Sequence, residues 1–157
     1  MTNNQITNII KILNKRHLHI GVMESCTGGA IANAITNTPG SSDVFEEGLV
    51  TYSERSKIKY GVLQDTINIY GVYSIEVANE MAKCANGDIG VGVTGELPGK
   101  VFVAIRINNK IINKIISFKT PLPPRRASPL EKGRTPSRIK MKNKIVKIVF
   151  EMIFDLL

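Results

Sequence analysis

Hydroxyl, thiol and amine side chains set the chemistry open to this chain. The stretch Met23-Glu24-Ser25-Cys26-Thr27-Gly28-Gly29 follows a short apolar run, from His19 to Met23, that reads as a buried strand. It precedes Ala30, Ile31, Ala34 and Ile35, which repeat at helical spacing. A strand that feeds a helix through a small-residue turn presents free amide N–H groups at the helix start, an anion site. Gly28 and Gly29 let the backbone come close to a ligand. The plainer alternative is that Ser25 or Thr27 caps the helix and the glycines serve chain reversal. Cys26 is a thiol near a helix start, where a lowered pKa would make it nucleophilic; a packing role is the favoured reading. For base-assisted nucleophilic attack the chain offers Ser42, Tyr52 and Lys57, with no Cys/His or Ser/His/Asp set at a persuasive spacing. A lysine serves as a base when burial or a neighbouring cation lowers its pKa toward neutrality. By spacing alone, Lys57 reads as a surface charge, Tyr52 as a strand aromatic and Ser42 as a helix cap.

The elements that must hold these groups follow from periodicity. Ile6, Ile9, Ile10 and Leu13 form an apolar stripe at helical spacing over residues 3–16. The helix after the glycine turn stops near Asn37-Thr38-Pro39-Gly40. Residues 48–53 are a β-rich run, and Lys57 lies on a short helix ending near Tyr60-Gly61. Residues 62–70 read as a connector with a brief helical turn. Ser74 caps a helix carrying Val77 and Met81, which stops at Asn86-Gly87. Residues 89–93 form an apolar strand ending at Thr94-Gly95, and residues 101–107 and 110–118 a hairpin about Asn108-Asn109. Met141, Ile145, Val149, Met152 and Ile153 mark a long closing helix. Alternating helix and strand signals followed by a hairpin argue for an α/β fold with a mixed sheet.

At 157 residues the chain fits one domain with a real core. No apolar run reaches the length of a membrane span, and the N-terminus lacks the basic and apolar regions of a signal peptide. His17 and His19 have no partner at metal-ligand spacing, and two cysteines make neither a disulfide framework nor a metal cluster. The expected setting is a reducing cytoplasm, with no metal and no cofactor. The net charge of +8 is local: residues 119–147 hold ten Lys/Arg against Glu131, and the rest holds eleven Lys/Arg against twelve acids. A basic run confined to one segment reads as a solvated face rather than as a nucleic-acid footprint. Residues 120–136 hold five of the seven prolines together with Arg, Ser and Gly, so a disordered basic insert is expected there.

Glu24-Ser25-Cys26-Thr27-Gly28-Gly29, Pro39-Gly40-Ser41-Ser42, Thr51-Tyr52-Ser53 with Lys57 behind it, and Val91-Gly92-Val93-Thr94-Gly95 agree in type, order and spacing with one family. The chain resembles the CinA C-terminal family, the nicotinamide-nucleotide amidases. The resemblance runs from about Asn3 to Phe118 and resumes near Arg138. It implies a single three-layer α/β/α domain over residues 1–157, with a mixed sheet and a closing C-terminal helix. It also implies hydrolysis of the amide of nicotinamide mononucleotide, a small-molecule nucleotide substrate, and a homodimer. Carried over, Ser42 is the nucleophile, Lys57 the base and Tyr52 the group that relays or orients the proton. Ser25, Cys26, Thr27, Gly28, Gly29, Thr94, Gly95 and Arg138 bind substrate, with Arg138 toward its phosphate. The chain departs from the family after Gly95, where a long glycine- and proline-rich loop is replaced by Glu96-Leu97-Pro98-Gly99. That departure keeps a nucleotide-binding remnant without turnover as a rival. A nucleic-acid-binding protein acting through residues 119–147 is the other.

Overall fold

Short runs of alternating or wholly apolar residues build five strands: β1 (Ile20–Glu24), β2 (Phe45–Val50), β3 (Ile89–Gly95), β4 (Lys100–Ile107) and β5 (Lys110–Ser117). They form one sheet in the order β2-β1-β3-β4-β5. β1 lies parallel to both neighbours, while β4 runs antiparallel to β3 and to β5. The sheet is therefore mixed. Asn108 adopts a positive φ of 52° between β4 and β5, a conformation that asparagine tolerates better than most residues. The structure is a computed structural model and describes residues 3–119 and 137–157. The expected insert at 120–136 lies outside the described residues.

Helices cover both faces. On one face, α1 (Asn3–Lys15), α2 (Ala30–Thr36) and α6 (Arg138–Phe154) bury Ile9, Leu13, Ile31, Ile145 and Phe150 against Val22, Val91 and Val103 of the sheet. On the other, α5 (Ile75–Cys84) lies so close to β3 that a Cβ on Gly90 would come within 2.0 Å of the Ala82 carbonyl oxygen. A Cβ on Gly92 would come within 2.2 Å of that of Ala78. These glycines set the helix–sheet distance, because any side chain there would push α5 away. Ser74 caps α5 as expected, its hydroxyl accepting from the Val77 amide at 3.3 Å. Two expectations need adjustment. β2 begins at Phe45, earlier than the run from Gly48, because its alternation of half-buried and exposed residues hides the strand. Residues 64–70 form a true helix, α4 (Gln64–Tyr70), next to α3 (Glu54–Lys59). Only Ile67 of α4 is buried, so no apolar stripe announces it. Among the described residues, no helix is long and apolar enough to cross a membrane.

The order of the strands locates the site. From β1 the chain crosses through α2 to β2 on one side, then returns through α3, α4 and α5 to β3 on the other. Such a reversal opens a crevice at the carboxyl ends of the parallel strands, where α/β sheets bind their ligands.

Candidate active site

Alternation along β1 sends consecutive residues to opposite faces. Ile20, Val22 and Glu24 face α2, whereas Met23 packs in the cluster under α3 to α5. Glu24 is fully buried, and its carboxylate accepts from the amides of Gly29 and Ile31, each at 3.1 Å, and of Ala32 at 2.8 Å. Three amides at the start of α2 are thus already satisfied by this chain's own carboxylate. Glu24 therefore occupies three amides of the expected anion site, and it, not Ser25 or Thr27, caps the helix.

Ser25 continues β1 by one residue, its amide donating to the Val93 carbonyl at 3.0 Å. Its side chain meets α3. That helix starts sharply because Ser53 caps it, accepting from the Ser56 amide at 3.1 Å. Lys57, one turn in, points back under the sheet ends and is 1% exposed. Its Nζ donates to Ser25 Oγ at 2.9 Å and to the Thr51 carbonyl at 2.8 Å. Thr51 is itself anchored, its amide donating to the Glu24 carbonyl at 2.7 Å. Burial lowers the Lys57 pKa from the ordinary lysine value, opposed by its electrostatic interactions with Cys26 and Glu54. A hydroxyl within hydrogen-bond reach of a lysine biased toward its neutral form is a nucleophile beside its base.

The neighbouring thiol behaves in the opposite sense. Burial pushes the Cys26 pKa up to about 11, against its own backbone amide and the charges of Lys57, Lys142 and Arg138. It stays protonated near neutral pH and packs in the main core, so the structure gives no support to thiol chemistry.

A cleft of about 170 Å³ opens beside Ser25, lined also by Cys26, Tyr52, Tyr73, Gly95 and Arg138. Tyr52 stands at its mouth, 63% exposed, its hydroxyl 3.5 Å from the Arg138 guanidinium. The hydroxyl makes no hydrogen bond to Ser25 or Lys57. Arg138 also donates to the Leu97 carbonyl and so ties the start of α6 to the β3–β4 connection. Thr94 does not face the cleft freely: it is buried, and its hydroxyl donates to the Val72 carbonyl at 2.9 Å, fixing the loop that carries Tyr73. Thr27, Gly28 and Gly29 border a second cleft, on the far side of the turn. Among the described residues, no three His, Cys, Asp or Glu side chains cluster as metal ligands.

Ser42 is not brought to Lys57. It lies on an exposed 3-10 turn, Ser41–Asp43, before the first residue of β2, whereas Lys57 follows the last. A six-residue strand separates the two ends by roughly 17–20 Å. The serine that the fold sets against Lys57 is Ser25. Sequence reasoning counted it among the binding residues and overlooked Glu24 and Thr51. The signal for Ser25 was available in the alternation of β1, which turns it away from Glu24 and α2. Thr51 gave none, since its part is played by its backbone.

A family model for the CinA C-terminal domain matches residues 3–121 of the chain. A relative from Alkaliphilus oremlandii, whose name includes the words competence-damage inducible protein, is 47% identical over 115 residues, 64% of this chain and 28% of the relative. A CinA-like protein from Kosmotoga olearia is 38% identical over 117 residues, 65% of this chain and 28% of that protein. The matched stretch thus spans under a third of the length of these relatives. Among solved structures, the competence/damage inducible protein CihA from Agrobacterium tumefaciens superposes with a TM-score of 0.83 at 26% identity, over 98% of this chain and 94% of that one. A CinA superfamily protein from Escherichia coli has a TM-score of 0.82 at 22% identity, over 99% and 90% of the two chains, a likeness of fold.

Proposed function

We propose that this chain, which belongs to the CinA C-terminal domain family, hydrolyses the amide of nicotinamide mononucleotide to the nicotinate nucleotide and ammonia. The observation that carries the reading is the 2.9 Å contact between Ser25 Oγ and the buried amine of Lys57. Neutral Lys57 takes the Ser25 proton as Oγ attacks the carboxamide carbon. The carbonyl π pair moves to oxygen, and the resulting tetrahedral oxyanion needs donors. The amides of Cys26 and Thr27 immediately follow the nucleophile and, unlike those of Gly28 and Gly29, donate to no carbonyl or carboxylate among the described residues. Protonated Lys57 then gives its proton to the departing nitrogen, and ammonia leaves an acyl ester on Ser25. Water, deprotonated by the same lysine, hydrolyses the ester and restores the serine. The Thr51 carbonyl holds Lys57 in line through both half-reactions.

The test is ammonia release from nicotinamide mononucleotide by the purified chain and by Ser25→Ala. Release by the wild type and its loss in the variant are expected. Equal release by both would overturn the assignment. The remnant reading is favoured by one observation, the four-residue connection from Gly95 to Lys100, which leaves the cleft mouth open beside Glu96 and Leu97. Absence of release, with binding of the nucleotide retained, would establish that reading instead.

A further inference from the structure

The cleft beside Ser25, about 170 Å³, is smaller than the roughly 300–1,000 Å³ usual for small-molecule sites. It has room for the reacting end of a nucleotide amide and not for the whole molecule. On the other side of turn 25–29 lies a second cleft of about 370 Å³, bordered by Thr27, Gly28, Gly29, Asn33, Lys142 and Asn143. The turn that carries the nucleophile therefore lines both clefts, Ser25 and Cys26 the first and Thr27, Gly28 and Gly29 the second.

Four features of the second cleft point to an anion. Lys142 lies one helical turn beyond Arg138 on α6, and its ammonium sits 3.1 Å from the place a Cβ on Gly28 would occupy. Neither Lys142 nor Arg138 has an acidic partner among the described residues. Thr27 is 1% exposed, and its hydroxyl finds no hydrogen-bond partner among the described residues, although a buried hydroxyl left unpaired is unfavourable. Gly28, at φ 62°, adopts the left-handed conformation and keeps the space under Lys142 clear of any side chain. At the start of α2 the amides of Gly29, Ile31 and Ala32 are already taken by Glu24. Arg138 is the weaker candidate for the anion, because its guanidinium already bonds the Leu97 carbonyl and reaches toward Tyr52.

We infer that the cleft between turn 27–29 and Lys142 is the phosphate subsite of the substrate, with the Lys142 ammonium and the Thr27 hydroxyl as its specificity-determining groups. This rests on the reading that the substrate is a phosphorylated nucleotide amide. The amide then lies on the Ser25 side of the turn and the phosphate monoester on the Lys142 side, with the ribose crossing the turn between them. Arg138 shapes the amide cleft and leaves the phosphate to Lys142.

The test compares Lys142→Met, Lys142→Arg and Thr27→Val with the wild-type chain. KM and kcat are measured on nicotinamide mononucleotide and on nicotinamide riboside, which lacks the phosphate. Calorimetry with the mononucleotide and with inorganic phosphate gives binding separately from turnover. A charge-assisted phosphate contact is worth about a 10- to 100-fold change in affinity. Lys142→Met should raise KM for the mononucleotide by that factor with little change in kcat, and should leave the riboside unaffected. Lys142→Arg should recover most of the loss, and inorganic phosphate should compete with the mononucleotide in the wild type only. If the wild type releases no ammonia, yet the mononucleotide binds and Lys142→Met weakens it, the hydrolase reading fails and the subsite stands. Equal effects on mononucleotide and riboside, no effect on either, or no binding of the mononucleotide to the wild type would each overturn the subsite. A Thr27→Val variant that matches the wild type would remove that hydroxyl from it.

Discussion

Ser25 sits in a turn at the carboxyl end of β1, and Ser42 in a turn at the amino end of β2. Both turns are rich in glycine and hydroxyl residues, and both precede an element of regular structure. Ser25 is 3% exposed, donates its amide to Val93 and meets a buried lysine. Ser42 is exposed, and no side-chain hydrogen bond of it occurs among the described residues. The residue type is the same, but what surrounds it differs. A hydroxyl becomes a nucleophile when the fold removes water from it and supplies a base, and in a parallel sheet that happens at the carboxyl ends of the strands.

The largest effect expected is loss of the pair itself. Ser25→Ala and Lys57→Met should each lower kcat by about 10³-fold or more, and the double variant should be scarcely worse, because the two groups act as one unit. Steady-state ammonia release checks this. Near-additive losses would show that the two residues act separately. Lys57→Met should remain folded, since a buried amine is replaced by an apolar chain of similar length. Because burial depresses its folded-state pKa, Lys57 destabilises the protein in full below that value. The unfolded chain binds the extra proton between the two values, so wild-type stability rises with pH through that window. Denaturant melts should therefore find Lys57→Met closest to the wild type at high pH.

The next effect runs through the other face of β1. Glu24→Gln puts an amide where both carboxylate oxygens now accept from three backbone donors. Stability should fall by about 2–4 kcal/mol as charge-assisted bonds are lost and one donor is left facing another. The turn carrying Ser25 would loosen, so kcat should drop as well. Urea melts and initial rates check the two halves, and an unchanged melt would show that Glu24 does not hold the turn.

The pH profile sharpens the contrast without any substitution. As a base, Lys57 works unprotonated, so kcat/KM should climb with pH through its folded-state pKa. Burial sets that midpoint below the ordinary lysine value. The ascending limb should follow Lys57 and not Cys26, whose thiol pKa is pushed up to about 11 by burial. In a packed core, Cys26→Ser should cost about 1–2 kcal/mol of stability through its added hydroxyl and lower kcat less than tenfold.

How much of this was legible before the fold was known depends on whether the information was local. The stripe of Ile9, Ile10 and Leu13, the cap at Ser74 and the hairpin at Asn108 depend on neighbours in sequence, and the structure has them where the pattern puts them. The family resemblance likewise marks Lys57 and the run Glu24-Ser25-Cys26-Thr27-Gly28-Gly29. What was not local was pairing. Which serine meets Lys57 depends on the parallel register Glu24–Val50, which carries Thr51 and then α3 past the end of β1. The use of Glu24 as an internal cap depends on the same alternation, and a lone glutamate before a small-residue turn does not announce it. Thr51 acts through its carbonyl, and a backbone atom leaves no mark in residue type.

The smallest expected effect is the one that decides the comparison of the two turns. Ser42→Ala removes an exposed hydroxyl from a 3-10 turn at the amino end of β2, a strand's length away from Lys57. Surface substitutions of this kind usually change stability by about 0.5 kcal/mol or less. No contact to the Ser25 cleft is lost, because Ser42 is not among the residues that line it. Ammonia release should therefore stay within about twofold of wild type, since a remote, uncoupled change leaves the barrier essentially as it was. Rates of Ser42→Ala and Ser25→Ala measured side by side on one preparation give the sharpest contrast available. A fall in Ser42→Ala as deep as in Ser25→Ala, with the fold intact by circular dichroism, would restore Ser42 as the nucleophile. It would also require β2 and α3 to bring Lys57 to the other end of the strand, an arrangement the register between β1 and β2 opposes.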